Sequence, residues 1–160
     1  MGHYDTAQVC LNGHMVNHSY HSSPDFNQDF CDKCGAQTIT QCPDCKSPIR
    51  GDYQFENVFA PGPTTPNRFC HQCGKPYPWT RQAVQAAKDL ADELEGLDQN
   101  EREQLKKSLD ELIKESPNTE VAGFRFKKLM KKTGAGSVEV MKSIISDFLS
   151  ETVKKSVFGN

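Results

Sequence analysis

Apolar residues recur at three- and four-residue intervals through the second half of this chain, and no such rhythm runs through the first half. The periodicity predicts helices. Val84, Ala87, Ala91 and Leu94 share one face of the first, with Thr80 as its N-cap and Gly96 at its end. Asp98, followed three residues later by Glu101, forms a capping box for the second, whose stripe is Leu105, Leu109, Leu112 and Ile113. Ser116-Pro117 stops that helix and starts a third, because proline suits the first helical position. Ala122, Phe126, Leu129 and Met130 make the buried face of the third, and Gly134 closes it. Ser137 caps a fourth, whose broad stripe runs through Met141, Ile144, Ile145, Phe148, Leu149 and Val153.

The first half reads as turns and short strands. Thr38-Ile39-Thr40 and Tyr53-Gln54-Phe55 have strand composition, and residues 60–67 form an irregular Pro-rich loop. Ten of the fourteen aromatic residues, eight of the nine prolines and every cysteine lie within residues 1–80. The expected division is therefore a metal-bearing domain over 1–80 and a helical domain of about four helices over 81–160.

The chain has 160 residues, of which 36 % are hydrophobic. That share is low for an ordinary core, and it suffices where bound metals supply part of the folding free energy. No stretch approaches the ~20 apolar residues of a membrane span. Met1 to Cys10 has no basic start, apolar run or cleavage site of a secretory signal, so a reducing cytoplasm is expected. The formal charge of -2 hides two blocks. Residues 81–120 hold six basic and eleven acidic side chains, and residues 121–160 hold eight basic and three acidic. The blocks either fold against each other or are solvated helix faces.

The seven cysteines and one histidine carry the chemistry. Cys10 and His14 precede Cys31 and Cys34, and Cys42 and Cys45 precede Cys70 and Cys73. Two short knuckles per site deliver four soft ligands, the donor set of a closed, structural zinc site. An odd cysteine count suits disulfides poorly. Glycine follows the second cysteine in Cys31–Gly35 and Cys70–Gly74, where the turn needs a positive φ. Asn12-Gly13 makes the tight turn before His14, which favours His14 over His18, His21 or His71 as the fourth ligand. Two Zn²⁺ per chain are expected, and the fold class is a small metal-stabilised β unit of tandem zinc ribbons followed by an all-α domain. Seven ionised thiolates and two dications take residues 1–80 from -2 to about -5.

The strings Met1-Gly-His-Tyr-Asp-Thr-Ala-Gln-Val-Cys-Leu-Asn-Gly-His14, Ile39-Thr-Gln-Cys-Pro-Asp-Cys-Lys-Ser-Pro-Ile-Arg-Gly-Asp-Tyr53 and Phe69-Cys-His-Gln-Cys-Gly-Lys-Pro-Tyr-Pro-Trp-Thr80 resemble a family of uncharacterised bacterial proteins. Its members pair an N-terminal double zinc ribbon with a helical tail. The resemblance implies the fold and the metal ligands, and all eight ligand positions are present. It implies no established activity. Residues 143–156 also resemble tails of small bacterial proteins linked to phage defence or signalling.

Four functional readings follow. The first is an interaction or adaptor protein, in a defence or signalling system, that meets a protein partner or a second copy through Ile144, Ile145, Phe148 and Leu149. The second is nucleic-acid binding, with Tyr20, Phe59, Phe69 or Trp79 stacking on bases and Arg125, Lys127, Lys128, Lys131 and Lys132 holding phosphates. The acidic metal half disfavours it. The third is membrane association through residues 138–158, with Lys142, Lys154 and Lys155 on the polar side. The fourth, an enzyme, is not expected. Both metal sites fill with protein ligands, and no Ser/His/Asp arrangement, P-loop or dinucleotide fingerprint is present.

Overall fold

Five short strands precede five α-helices in the computed structural model, which describes residues 1–58, 62 and 64–159. Strand β1 (His3–Thr6) pairs antiparallel with β5 (Arg50–Gln54), placing Tyr4 opposite Tyr53. Strand β2 (Gln8–Cys10) lies between β3 (Met15–Asn17) and β4 (Thr38–Ile39) in a second antiparallel sheet. The chain divides into two compact units, Met1–Arg81 and Gln82–Asn160. Most of the predicted Pro-rich loop's first half, with Phe59, lies outside the described residues.

Polar side chains do much of the packing in the first unit. Ala7, Val9, Cys10 and Ile49 are fully buried, but so, nearly, are Asp5, Gln8 and Asn17. These three side chains have partners, which offsets the desolvation penalty of burying them. Gln8 Nε2 donates to the Gln28 carbonyl at 2.6 Å and to Thr38 Oγ1 at 3.0 Å, and its Oε1 accepts the Gln28 N–H at 3.0 Å. The Asp5 carboxylate accepts N–H groups from Thr6, His21 and Ser22. Burial pushes its pKa up, but these bonds and the Ser22 hydroxyl together hold it below the usual carboxylate value. Loop 18–23 is thereby fastened to β1.

In the second unit the stripes are buried largely where periodicity places them. Helix α1 (Pro78–Glu93) starts two residues before the predicted Thr80 cap. Pro78 occupies the first helical position, and the Thr80 hydroxyl donates instead to the Arg68 carbonyl at 2.8 Å. Helix α2 (Gln99–Leu112) has both halves of the capping box: Glu101 N–H to Asp98 at 2.8 Å and Asp98 N–H to Glu101 at 3.1 Å. Helix α3 (Thr119–Met130) begins after Pro117, because Asn118 takes the N-cap and Thr119 Oγ1 accepts the Ser116 N–H at 2.8 Å.

Gly134 opens helix α4 (Ala135–Ile145) rather than closing α3, and the Ser137 hydroxyl donates to the Thr133 carbonyl instead of capping. The predicted single fourth helix is two. A 3-10 turn at Ser146–Phe148 and an extended Leu149 (φ -111°, ψ 149°) separate α4 from α5 (Glu151–Phe158). Ser150 Oγ accepts the Val153 N–H at 3.2 Å, so this serine starts a new helix where the apolar stripe alone suggests continuity. Helix α3 packs on both α2 and α5, and Phe126 meets the ring of Phe158 edge-on at 5.6 Å.

The charge blocks are joined by Glu101 and Lys132, which form a close ion pair. Lys88–Asp110 and Lys106–Asp92 are internal to the acidic block. Arg125, Lys127, Lys128 and Lys131 are exposed and make no ion pair among the described residues.

Candidate metal centres

Three Cys-x-x-Cys turns share one backbone pattern. The N–H four residues after the first cysteine bonds back to that cysteine's carbonyl: Gly35 to Cys31 at 2.7 Å, Lys46 to Cys42 at 2.9 Å and Gly74 to Cys70 at 2.9 Å. The first cysteine's own N–H reaches the carbonyl five residues on, at Ala36, Ser47 and Lys75. The residue after the second cysteine has positive φ: 75° at Gly35 and 65° at Lys46. Lys46 thus holds a left-handed conformation that costs a side chain about 1–2 kcal/mol. The Cys10–His14 turn differs. Gly13 has φ 92° and donates to the Cys10 carbonyl at 2.9 Å, while the His14 N–H points at Cys10 Sγ at 3.2 Å.

These turns bring together Cys10, His14, Cys31 and Cys34 in one cluster and Cys42, Cys45, Cys70 and Cys73 in another, with the donor atoms of each within 4.8 Å of one another. A tetrahedral ion with metal–sulfur bonds of about 2.3 Å sets sulfurs about 3.8 Å apart, and sulfur from imidazole nitrogen about 3.6 Å. Cys10 Sγ lies 3.7 Å from Cys34 Sγ, Cys42 Sγ 3.8 Å from Cys73 Sγ, and Cys45 Sγ 3.6 Å from Cys70 Sγ. His14 Nδ1 is 3.4 Å from Cys10 Sγ and 3.6 Å from Cys31 Sγ. The match to tetrahedral edges is close, and a disulfide needs sulfurs at about 2.05 Å. The residues present fit a four-coordinate thiophilic cation at each centre. His18, His21 and His71 stand outside both clusters.

The electrostatics fit the same occupant. The Cys34 thiol is lowered to about 6, first by the Ala36 N–H and then by the Asn12 side chain, whose Nδ2 donates at 3.4 Å. Burial opposes ionisation of Cys70, yet the N–H groups of Cys73 and Gln72 and the neighbouring thiols bring it down to about 6. Cys73 ends up at about 11: the Lys75 N–H favours its thiolate, but desolvation and the other three sulfurs outweigh that bond. Four sulfurs so close cannot all ionise alone; a dication at their centre removes the repulsion.

Trp79 ties the two centres into one unit. It is 2 % exposed, stacks on Tyr77 at 4.8 Å and donates its indole N–H to the Asn67 carbonyl at 2.9 Å. A Cβ on Gly13 would stand 2.8 Å from Trp79 Cβ, so the first knuckle rests directly on this residue. Tyr77 is buried beside the second centre, and burial, followed by the Cys70 charge, pushes its phenol well above the usual range. Trp79 is therefore no platform for bases.

Ile145 is fully buried and Leu149 is 5 % exposed, with Ile144 and Phe148 half-buried. With α4 and α5 separated by a turn, Ile145 and Leu149 belong to the core of the helical unit while Ile144 and Phe148 keep partly exposed surface, and residues 138–158 are not one amphipathic helix. Among the described residues, no helix is long and apolar enough to cross a membrane. Lys132 is engaged by Glu101, whereas Arg125, Lys127, Lys128 and Lys131 remain open to solvent.

The exposed aromatic groups are ones that sequence reasoning passed over. Tyr4 and Tyr53 (50 % each) and Phe55 (55 %) form a line on the β1–β5 ribbon, with Arg50 4.5 Å over the Tyr4 ring. Phe124 on α3 is 75 % exposed. It lies off the stripe formed by Ala122, Phe126 and Leu129, which is the signal that could have found it.

The chain matches, over residues 3–157, a family described as an uncharacterized protein conserved in bacteria (DUF2321). No curated protein and no solved structure matches it.

Proposed function

The chain belongs to the bacterial family DUF2321, and from the closed geometry of its two centres we propose that it is a non-enzymatic adaptor protein whose first unit is held together by two zinc ions. One observation carries this reading. Each centre already offers four protein donors at tetrahedral spacing, so an ion bound there has no position left for water or substrate. Thiolate-rich tetrahedral sets favour zinc among common cellular cations. A structural ion leaves recognition to the surface, where the line of Tyr4, Tyr53 and Phe55 and the outer face of α3 are available.

Cobalt substitution tests the closed sites. The expected result is two tetrahedral thiolate spectra that added azide leaves unchanged, together with two zinc ions per chain in native protein. A spectral shift on adding azide indicates an open coordination position and overturns the structural role. The adaptor reading also expects a protein to co-purify with the full chain from its native cells after nuclease treatment.

Nucleic-acid binding is the second reading, supported by four exposed cations, Arg125, Lys127 and Lys128 on α3 and Lys131 at its C-cap, that make no ion pair among the described residues. It is favoured instead if nuclease treatment removes everything that co-purifies.

A further inference from the structure

Helix α3 buries Ala122, Phe126, Leu129 and Met130, yet two more large apolar side chains stand outside. Val121 is 58 % exposed and Phe124 is 75 % exposed, one turn apart on the same side of the helix. Nothing among the described residues covers them.

They border a groove. Helices α2 and α3 pack side by side. Along their seam run two shallow depressions of about 480 and 330 Å³ that share Val121 and Arg125. Together they follow α3 from Asn118 to Lys132, a length of about 21 Å. The acids along the seam are already neutralised: Glu101 by Lys132, Asp110 by Lys88 at 2.9 Å and Glu111 by Lys114 at 3.8 Å. Lys107, Arg125 and Lys128 also line it and make no ion pair among the described residues. Lys127 and Lys131 add two more uncompensated charges beside it.

We propose that the α2–α3 seam is the docking site for an acidic amphipathic helix of another protein. This rests on the reading of the chain as an adaptor, and it names the chemistry of the partner. A helix of about 14 residues spans the groove. Its apolar residues at i, i+3 or i+4, and i+7 meet Val121 and Phe124, and its flanking carboxylates reach Lys107, Arg125 and Lys128. A second copy of the chain does not supply such a helix. Its acidic helices α1 and α2 keep their apolar stripes, Val84, Ala87, Ala91 and Leu94 and then Leu105, Leu109 and Leu112, inside their own core. A phosphate backbone uses cations but has no use for the exposed Val121 and Phe124 at the groove's edge, and a bilayer meets a convex face better than a seam.

The test is a fluorescence titration of the full, metal-loaded chain with four probes. They are a designed 14-residue helix with Leu on one face and Glu on the other, its twin with Lys in place of Glu, a single-stranded oligonucleotide, and phosphatidylserine vesicles. The Glu peptide should bind and the Lys twin should not. Phe124→Ser should weaken binding at least tenfold, and Arg125→Glu with Lys128→Glu by about thirtyfold or more. All three residues are exposed, so circular dichroism should be unchanged. The proposal is overturned if the Glu peptide fails to bind at millimolar concentration. It is also overturned if the oligonucleotide or vesicles bind in its place, or if Phe124→Ser has no effect while charge reversal abolishes binding of every anion. A protein that still co-purifies from native cells with the Phe124→Ser chain leaves the adaptor reading standing and removes only this surface.

Discussion

Changing Gly13 to Ala should damage the first metal centre far more than the same change at Gly35, although both glycines sit in knuckle turns with positive φ. The conformational cost is similar, since φ is 92° at Gly13 and 75° at Gly35, and a side chain there costs about 1–2 kcal/mol. The surroundings differ. At Gly35 a new Cβ meets nothing within 4 Å. At Gly13 it meets Trp79 Cβ at 2.8 Å and Cγ at 3.1 Å, closer than carbon atoms approach. Trp79 is held by its stack on Tyr77 and its bond to Asn67, so it cannot swing aside. Overpacking of a tight contact adds about 1–3 kcal/mol. The totals are about 2–5 kcal/mol for Gly13→Ala and about 1–2 kcal/mol for Gly35→Ala. Where folding and metal binding are one equilibrium, as in small metal-stabilised domains, the loss appears as metal affinity, about tenfold for each 1.4 kcal/mol. Competition with a chromophoric chelator measures it. Trp79→Ala should not rescue Gly13→Ala, because alanine keeps the offending Cβ. Equal losses at Gly13 and Gly35 would refute the argument.

Cys31→Ser should leave one metal ion per chain and Cys73→Ser should leave the other, whereas His18→Ala, His21→Ala and His71→Ala should all retain two; elemental analysis decides. Lys46→Gly removes a left-handed lysine and should raise thermal stability by up to about 1 kcal/mol after the entropic penalty of glycine; a lower melting temperature speaks against strain at this turn. Ile145→Asp places an unpaired charge at a fully buried position and should destabilise the helical unit by more than about 4 kcal/mol. Circular dichroism should show lost helix with metal content unchanged, and a folded variant that merely changes its oligomeric state would restore the exposed-patch reading of the tail.

The two four-donor clusters were legible in the sequence because each knuckle is local. Spacing, glycine and proline within five residues specify the turn before any tertiary contact forms. The capping box at Asp98 and Glu101 was legible for the same reason. Strands β1, β2 and β3 were not, since they are three or four residues long and β1 finds its partner over forty residues away at Arg50–Gln54. The break between α4 and α5 was hidden because Ile145, Phe148 and Leu149 keep a helical stripe across it. Only the Ser150 cap marks the restart. Burial of Trp79 depends on Gly13, sixty-six positions earlier, and no local pattern announces that. Phe124 was visible as an apolar residue off the stripe, but its environment along the α2–α3 seam needed the packing.

The order of the ligands along the chain has a consequence for synthesis. The first centre is complete at Cys34, before any ligand of the second appears, and the two never interleave. Each closes a loop of its own sequence, so neither has to thread past the other, and loop-closure entropy is met one site at a time. The four donors of the first centre can therefore meet on a growing chain before those of the second have all emerged. Trp79 lies beyond all eight donors in the sequence, so the first four can meet before the indole is available. On that order of arrival the indole is a late clasp on the Gly13 knuckle.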